Sequence, residues 1–181
     1  MFSKGDLLIS EPFLNDVNFI RSVILLCENN TEGSLGFVLN QTSSMVLDDL
    51  GEDFENMDFP VYIGGPVEPN TLHFIHTLGN KIDNSIQISD IYYWSGNLNQ
   101  VIELIKLDIV KENQIRFFLG YSGWSPGQLE SEFEAKTWFL IDNFKDNLLE
   151  IEPKNLWREV LKRQGGKFKE IANYPVDPRL N

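Results

Sequence analysis

The chain is short of the residues that most chemistry and most targeting require. A single cysteine, Cys27, excludes a disulfide within the chain, and its place in an apolar run suits a small buried thiol. That run, Val23 to Cys27, is the longest strictly apolar stretch and is far too short to cross a bilayer as a helix. Met1 to Asp6 lacks the apolar core and small-residue cleavage site of a secretory signal, so export is not expected. Together these features point to the cytoplasm. Histidine is nearly absent: His73 and His76 are the only two, which leaves few bases for nucleophilic catalysis. Two histidines and one cysteine also fall short of a conventional structural zinc site.

Positive charge is scarce in most of the chain. Residues 1 to 153 hold 8 Lys and Arg against 24 Asp and Glu, whereas residues 154 to 181 hold 7 against 3. The net charge of -12 opposes phosphate backbones and anionic lipid, so neither direct nucleic-acid binding nor membrane association is expected. A basic tail of modest charge density reads as a helix docked on the acidic body. No phosphate-binding loop is present either. Gly165-Gly166-Lys167 lacks the leading glycine and the following Ser or Thr, and no lysine follows Gly64-Gly65-Pro66. No cofactor and no metal is therefore assigned.

What is present is a 42% hydrophobic chain of 181 residues with no repeat or low-complexity linker, which reads as one α+β domain over residues 1–181. Leu7 to Ser10 and Ser22 to Glu28 are expected strands, the second apolar on both faces and central. Asn29 to Gly33 should turn into a returning strand, Ser34 to Leu39. The acidic segment Asp48 to Asp58 spaces Leu50, Phe54 and Met57 for one helical face, its carboxylates solvated. Pro60 to Ile63 and Thr71 to Leu78 follow as strands, with His73 and His76 on opposite faces and each expected to be structural. Ser95-Gly96-Asn97 can start a helix bearing Leu98, Val101, Ile102 and Ile105 at amphipathic spacing. Ile115 to Leu119 and Thr137 to Ile141 are further strands. Asn155 can cap a last helix with Leu156, Trp157, Val160 and Leu161 inward, closed by Gly165-Gly166 and followed by an irregular tail containing Pro175 and Pro178.

The densest specification lies in Gly120-Tyr-Ser-Gly-Trp-Ser-Pro-Gly-Gln-Leu-Glu130. Gly120 and Gly123 suggest a sharp turn from strand into helix. Ser125-Pro126-Gly127-Gln128 fits a capping box, in which Ser125 accepts from the helix and Gln128 reaches back to the Ser125 amide. Leu129 and Phe133 would share one helix face, and Glu130 and Glu134 another. The glycine spacing around Ser122 fails the nucleophile-elbow pattern, because Trp124 stands where the second glycine belongs. Capping, turning and aromatic anchoring account for nearly every residue of the run.

This run resembles the Gly-Tyr-Ala-Gly-Trp-Gly-Pro-Gly-Gln-Leu-Glu signature of the bacterial YqgE/AlgH family. Ser22-Val23 leading to Cys27-Glu28, Gly33 to Asn40, Gly64-Gly-Pro-Val67, Glu134 and Trp138 agree with the family in order. Ser122 and Ser125 replace the usual Ala and Gly, and Gln41-Thr42 stands where many members have Arg-Pro, which removes a basic residue beside Asn40. The resemblance implies a mainly antiparallel sheet folded into a pseudo-barrel flanked by helices. It carries a transcriptional-regulator label and no catalytic residue set. No helix-turn-helix, zinc finger or basic recognition helix accompanies that label here.

The reading is of a cytoplasmic, non-catalytic binding or regulatory protein acting through a protein partner or a small ligand. Its candidate surface comprises Gly64, Gly65, His73, Tyr121, Ser122, Trp124, Gln128 and Glu130. The alternative is an enzyme or sensor with a pocket between the junction, Gly64-Gly65 and His73, using Glu130 as acid or base. The alternative requires His73 and Glu130 to converge on an open cleft.

Overall fold

The computed structural model describes residues 2–142 and 144–176. Its strands are β1 (Leu7–Ser10), β2 (Val23–Asn30), β3 (Gly33–Val38), β4 (Thr42–Val46), β5 (Pro60–Ile63), β6 (Val67–His76), β7 (Ile86–Gln87), β8 (Tyr93–Trp94), β9 (Ile115–Trp124) and β10 (Trp138–Ile141). Helix α1 (Leu98–Lys106) precedes β9, α2 (Gln128–Glu134) joins β9 to β10, and α3 (Pro153–Gln164) and α4 (Gly166–Ile171) follow. The main path of the sheet is β10-β1-β2-β3-β9-β6-β8-β7. Strand β5 pairs with β4 and runs parallel to β9, the one parallel ladder among the described residues. The chain is α+β, as expected. The sheet is not closed into a barrel, however: among the described residues β10 and β7 end the path with no ladder between them, so it stays open.

Alternation along the central strands sends side chains to two faces. Leu7, Ile9, Val23, Leu25, Phe37 and Phe118 face one side, where α3 covers them with Leu156, Trp157, Val160 and Leu161. Those four helix residues are buried as their spacing predicts, and Trp157 also donates its indole N–H to the Ser10 carbonyl at 3.0 Å. The other face carries two clusters. Leu8, Ile24, Leu26, Val38 and Trp124 pack with Leu129 of α2, and Phe74, Ile115 and Phe117 pack with Val101 of α1. Helix α1 starts directly after Ser95-Gly96-Asn97, as expected, and the capping residue is Asn97, which accepts from the amides of Asn99 and Gln100 at 3.1 and 3.3 Å.

Four expectations are corrected. The segment 48–58 is not one helix but two 3₁₀ turns, Leu47–Leu50 and Glu52–Phe54, separated by Gly51 at φ 135, a backbone angle no helix contains. Helix α3 begins at Pro153, because proline's fixed φ suits the first helical position; Asn155 lies inside the first turn rather than capping it. The tail past Gly165 is not wholly irregular, since α4 folds back and Phe168 stacks edge-on against Phe139 at 5.4 Å. Pro178 lies outside the described residues. Most important, β9 does not stop at Leu119 but runs to Trp124, and the turn into α2 occurs at Ser125 to Gly127.

The continuous β9 explains the glycines. Gly120 sits in the strand at φ 67, opposite a bulge in β6 where Val67 pairs with Tyr121 and Leu72 with Leu119. Without that kink, Tyr121 would point to the face of Phe117 and Leu119. With it, the alternation shifts by one residue: Tyr121 joins Phe118 on the α3 side, and Trp124 reaches the α2 side. The capping box is half present. Gln128 Oε1 accepts from the Ser125 amide at 3.0 Å, but the Ser125 hydroxyl makes no return bond and left-handed Gly127 occupies the cap position. Gln128→Ala is therefore expected to cost about 1 kcal/mol, while Ser125→Ala stays within about 0.5 kcal/mol of wild type in denaturant unfolding.

Candidate functional site

Gly64 and Gly65 form a wedge between β3 and β9. The Gly64 amide donates to the Leu119 carbonyl, and its own carbonyl accepts from the Val38 amide, both at 2.9 Å. The same carbonyl accepts from Ser122 Oγ at 3.0 Å. Ser122 is fully buried and its hydroxyl proton is committed to this bond, so it is a strand-to-loop tie and not a nucleophile. A Cβ on Gly65 would lie 2.3 Å from the Tyr121 backbone, which places that glycine by close approach. Gly64, Gly65, Ser122 and Tyr121 thus converge as one packed seam.

The histidines separate as their register requires. His76 is completely buried and stacked on Tyr93. Its Nδ1 accepts from the Leu78 amide at 3.3 Å, which leaves Nε2 as the protonated nitrogen, 3.1 Å from the Ser95 carbonyl and 3.0 Å from Ser85 Oγ. Ser85 donates onward to the Ile82 carbonyl at 2.8 Å. A base would need a free lone pair on Nε2, so this His-Ser contact is structural. His73 is half-buried, its ring 5.2 Å from Phe37 and 5.8 Å from Tyr121. Its Nε2 is buried without a hydrogen-bond partner among the described residues, as is Trp94 Nε1.

Burial lowers the affinity of both histidines for a proton, opposed at His73 by the Glu68 carboxylate and at His76 by the Ser95 carbonyl. A histidine with a depressed folded value stabilises the fold fully above its ordinary value of 6.5 and loses that contribution as pH falls below it, because the unfolded chain then takes up more protons. The melting temperature is expected to hold from pH 8 to 7 and to fall on acidification through the range around pH 6. His76→Gln should flatten that decline; an unchanged slope in the variant would assign it to other groups.

The remaining candidates lie on the opposite face. Trp124 is buried, and its indole N–H donates to Glu132 Oε2 at 2.9 Å. Trp138 Nε1 donates to the same oxygen at 2.8 Å, and Gln128 Nε2 donates to Glu132 Oε1 at 2.9 Å. One carboxylate therefore gathers three donors and clamps α2 to the ends of β9 and β10. The sequence pattern gave no prominence to Glu132, although its place on the short helix between two tryptophans is a usable signal. Glu130 and Phe133 are exposed on α2 while Leu129 is buried, so the expected shared face of Leu129 and Phe133 only half forms. Glu130 and His73 do not converge: Glu130 projects from α2 on one side of the sheet, and His73 packs on Phe37 and Tyr121 on the other.

Between the β2–β3 turn and the end of β9 lies an open groove of about 430 Å³. Tyr121, Gly123 and Trp124 line it with Ser125 and Pro126, and Glu28 and Glu32 supply acid on the facing side. Among the described residues no group of His, Cys, Asp and Glu is arranged to hold a metal ion.

Fold and site together define an α+β protein in which a glycine-kinked central strand and a tryptophan-carboxylate clamp build a groove. Residues 7–169 match the AlgH-like family, and the chain belongs to that family. It is 40% identical to a UPF0301 protein of Chlorobium limicola, covering 98% of this chain and 95% of that one. It is 39% identical to a UPF0301 protein of Cytophaga hutchinsonii over the whole of both chains. Among solved structures, the AlgH protein of Pseudomonas aeruginosa matches with a TM-score of 0.72 at 25% identity, over 95% of this chain and 94% of that one. A Corynebacterium diphtheriae protein at 20% identity shares the fold with a TM-score of 0.78, over 96% and 93% of the two chains.

Proposed function

We propose that this chain is a non-catalytic binding protein with a regulatory role in the cytoplasm, working as one domain that takes a protein partner in the groove beside Tyr121. The observation that carries this reading is the division of labour in the Gly120–Glu130 run. Its buried polar atoms are committed to structural bonds, while Tyr121 is left half-exposed at the groove, with Pro126 and Ser125 at its rim. A half-buried tyrosine beside a concave surface is the kind of anchor that protein interfaces use. No helix among the described residues is long and apolar enough to cross a membrane. Acid on the groove's facing side favours a partner segment with basic residues and disfavours nucleic acid. The alternative of an enzyme or sensor using His73 with Glu130 loses its basis, since those groups lie on different sides of the sheet.

Affinity capture from native lysate, with wild type beside Tyr121→Ala, tests this reading. Tyr121 is half-buried at the margin of the core, so the variant is expected to lose some stability and still melt cooperatively. Proteins retained by wild type and competed by excess free protein should be lost from the variant. An identical set of partners on both baits, or none above control, would contradict the proposal.

A further inference from the structure

The ends of the sheet are guarded unequally. Strand β7 is two residues long, and Lys4 Nζ donates to its Gln87 carbonyl at 3.1 Å. Strand β4, which pairs only with β5, is polar along Thr42, Ser43 and Ser44. Short length, lysines, prolines and bulges are the ordinary protections of a sheet edge. Strand β10 is longer than β7 and carries none of the others. It reads Trp138-Phe139-Leu140-Ile141 and pairs with β1 without a register shift.

The ladder to β1 fixes which backbone groups of β10 face outward. The Glu11 amide donates to the Thr137 carbonyl at 2.9 Å, and Ile9 stands opposite Phe139 in the same register. Alternate residues of an antiparallel strand turn their N–H and C=O to the same neighbour. Phe139 and Ile141 therefore bond to β1, while Trp138 and Leu140 turn theirs to the open side. The far side of β1 agrees, since the Ser10 amide donates to the Ser22 carbonyl of the β2 side at 3.0 Å, leaving Leu7 and Ile9 for β10. Among the described residues no hydrogen bond reaches the backbone amide or carbonyl of Trp138 or Leu140. Phe139 and Leu140 are only half-buried beside this edge.

We propose that β10 pairs antiparallel with β10 of a second copy of this chain, about a twofold axis through Phe139. That centre sets Trp138 opposite Leu140 of the partner subunit, and Leu140 opposite the partner's Trp138, so every outward group of both residues gains a bond. A centre at either of those residues would leave the other paired outside the strand. The two Phe139 rings meet at the closely spaced position between these pairs, on the side where Phe168 already packs. Charge selects the same centre. Lys136 and Asp142 are both exposed, and each lies three positions from Phe139, so each lysine comes level with a carboxylate of the other copy. This reciprocity favours a second copy over a strand of another protein. The edge lies apart from the Tyr121 groove, so either proposal can fail without the other.

Sedimentation equilibrium of the full chain is expected to show the mass rising from one chain toward two between about 1 µM and 1 mM. Amide hydrogen exchange at about 0.05 and 1 mM reads the register. Trp138 and Leu140 should be protected only in the concentrated sample, and Phe139 and Ile141 in both. Leu140→Pro removes an outward N–H and keeps the β1 ladder, a change edge strands tolerate; it should weaken association at least about tenfold. Lys136→Glu and Asp142→Lys should each weaken it about threefold or more, and both together in one chain should restore it to within about threefold of wild type. If Leu140→Pro does not melt cooperatively, the reversed charges alone decide. A single chain at about 1 mM would overturn the inference, even if a strand of another protein fills the edge. So would protection of Trp138 and Leu140 that ignores concentration, or association unchanged by the single charge reversals.

Discussion

Gly64→Ala is expected to lower stability by about 3 to 5 kcal/mol, read as a large drop in denaturation midpoint. A Cβ at this position would lie 2.3 Å from the Gly120 carbonyl oxygen, 2.8 Å from Phe37 Cδ1 and 3.1 Å from Phe118 Cβ. The first of these is backbone inside the central strand, so no rotamer change relieves it. Moving β5 away from β9 would instead stretch the bonds from Gly64 to Leu119, Val38 and Ser122. The penalty here is steric, not conformational, since Gly64 does not have a positive φ. Gly127→Ala makes the contrast: its Cβ would meet nothing within 4 Å, and only the left-handed φ of 78 opposes it, at about 1 kcal/mol. If both variants lost equal stability, the wedge at Gly64 would not be what holds this seam.

Trp138→Ala should cost a similar amount, about 3 to 5 kcal/mol. The ring is 2% exposed and packs edge-on against Phe19 at 5.5 Å and Trp124 at 6.1 Å. Its truncation opens a cavity and removes one of the donors on Glu132. Trp138→Phe separates these effects, because it keeps most of the volume and loses only the N–H; about 1 to 2 kcal/mol is expected for it. Glu132→Ala should cost less than Trp138→Ala, and combining it with Trp138→Phe should be clearly sub-additive, since both remove the same bond. Additive losses would mean that the carboxylate and the indole act separately.

Local chemistry was legible wherever neighbouring residues decide the outcome. The hairpin of β2 and β3, the start of α1 after Ser95-Gly96-Asn97 and the inward face of α3 all follow from patterns within a few residues. The extent of β9 was not legible, because Gly120 and Gly123 read locally as breakers. Pairing with β3 on one side and β6 on the other supplies the ladder that carries the strand through them. Strand β4 went unassigned for a related reason: Thr42 to Val46 lacks a run of buried residues and is a strand through its pairing with β5.

Of the eight candidate residues, Gly64, Gly65, Ser122 and Tyr121 pack together in the structure, and the distribution of the eight over two faces was not legible in the sequence. That distribution depends on one backbone angle at Gly120, which shifts the alternation of every later residue in β9. Glu132 was hidden because an acid on a short helix reads as solvated, and its donors come from either side of that helix. Arg116 was hidden in the same way. Its guanidinium is buried over the Tyr62 ring and donates to the Leu39 and Leu149 carbonyls, partners far away in sequence.

The central claim is that the Gly120–Glu130 run is a scaffold that fixes a groove, held by the clamp of Trp124 and Trp138 on Glu132. Hydrogen exchange of the tryptophan indole N–H groups, followed by NMR in wild type and in Glu132→Ala, tests it most directly. The Trp124 and Trp138 indole protons should exchange slowly in wild type and much faster in the variant, while that of Trp157, bound to the Ser10 carbonyl, should remain slow in both. Rapid exchange at Trp124 and Trp138 in wild type, or no change on removing the carboxylate, would show that the clamp does not hold the run in place.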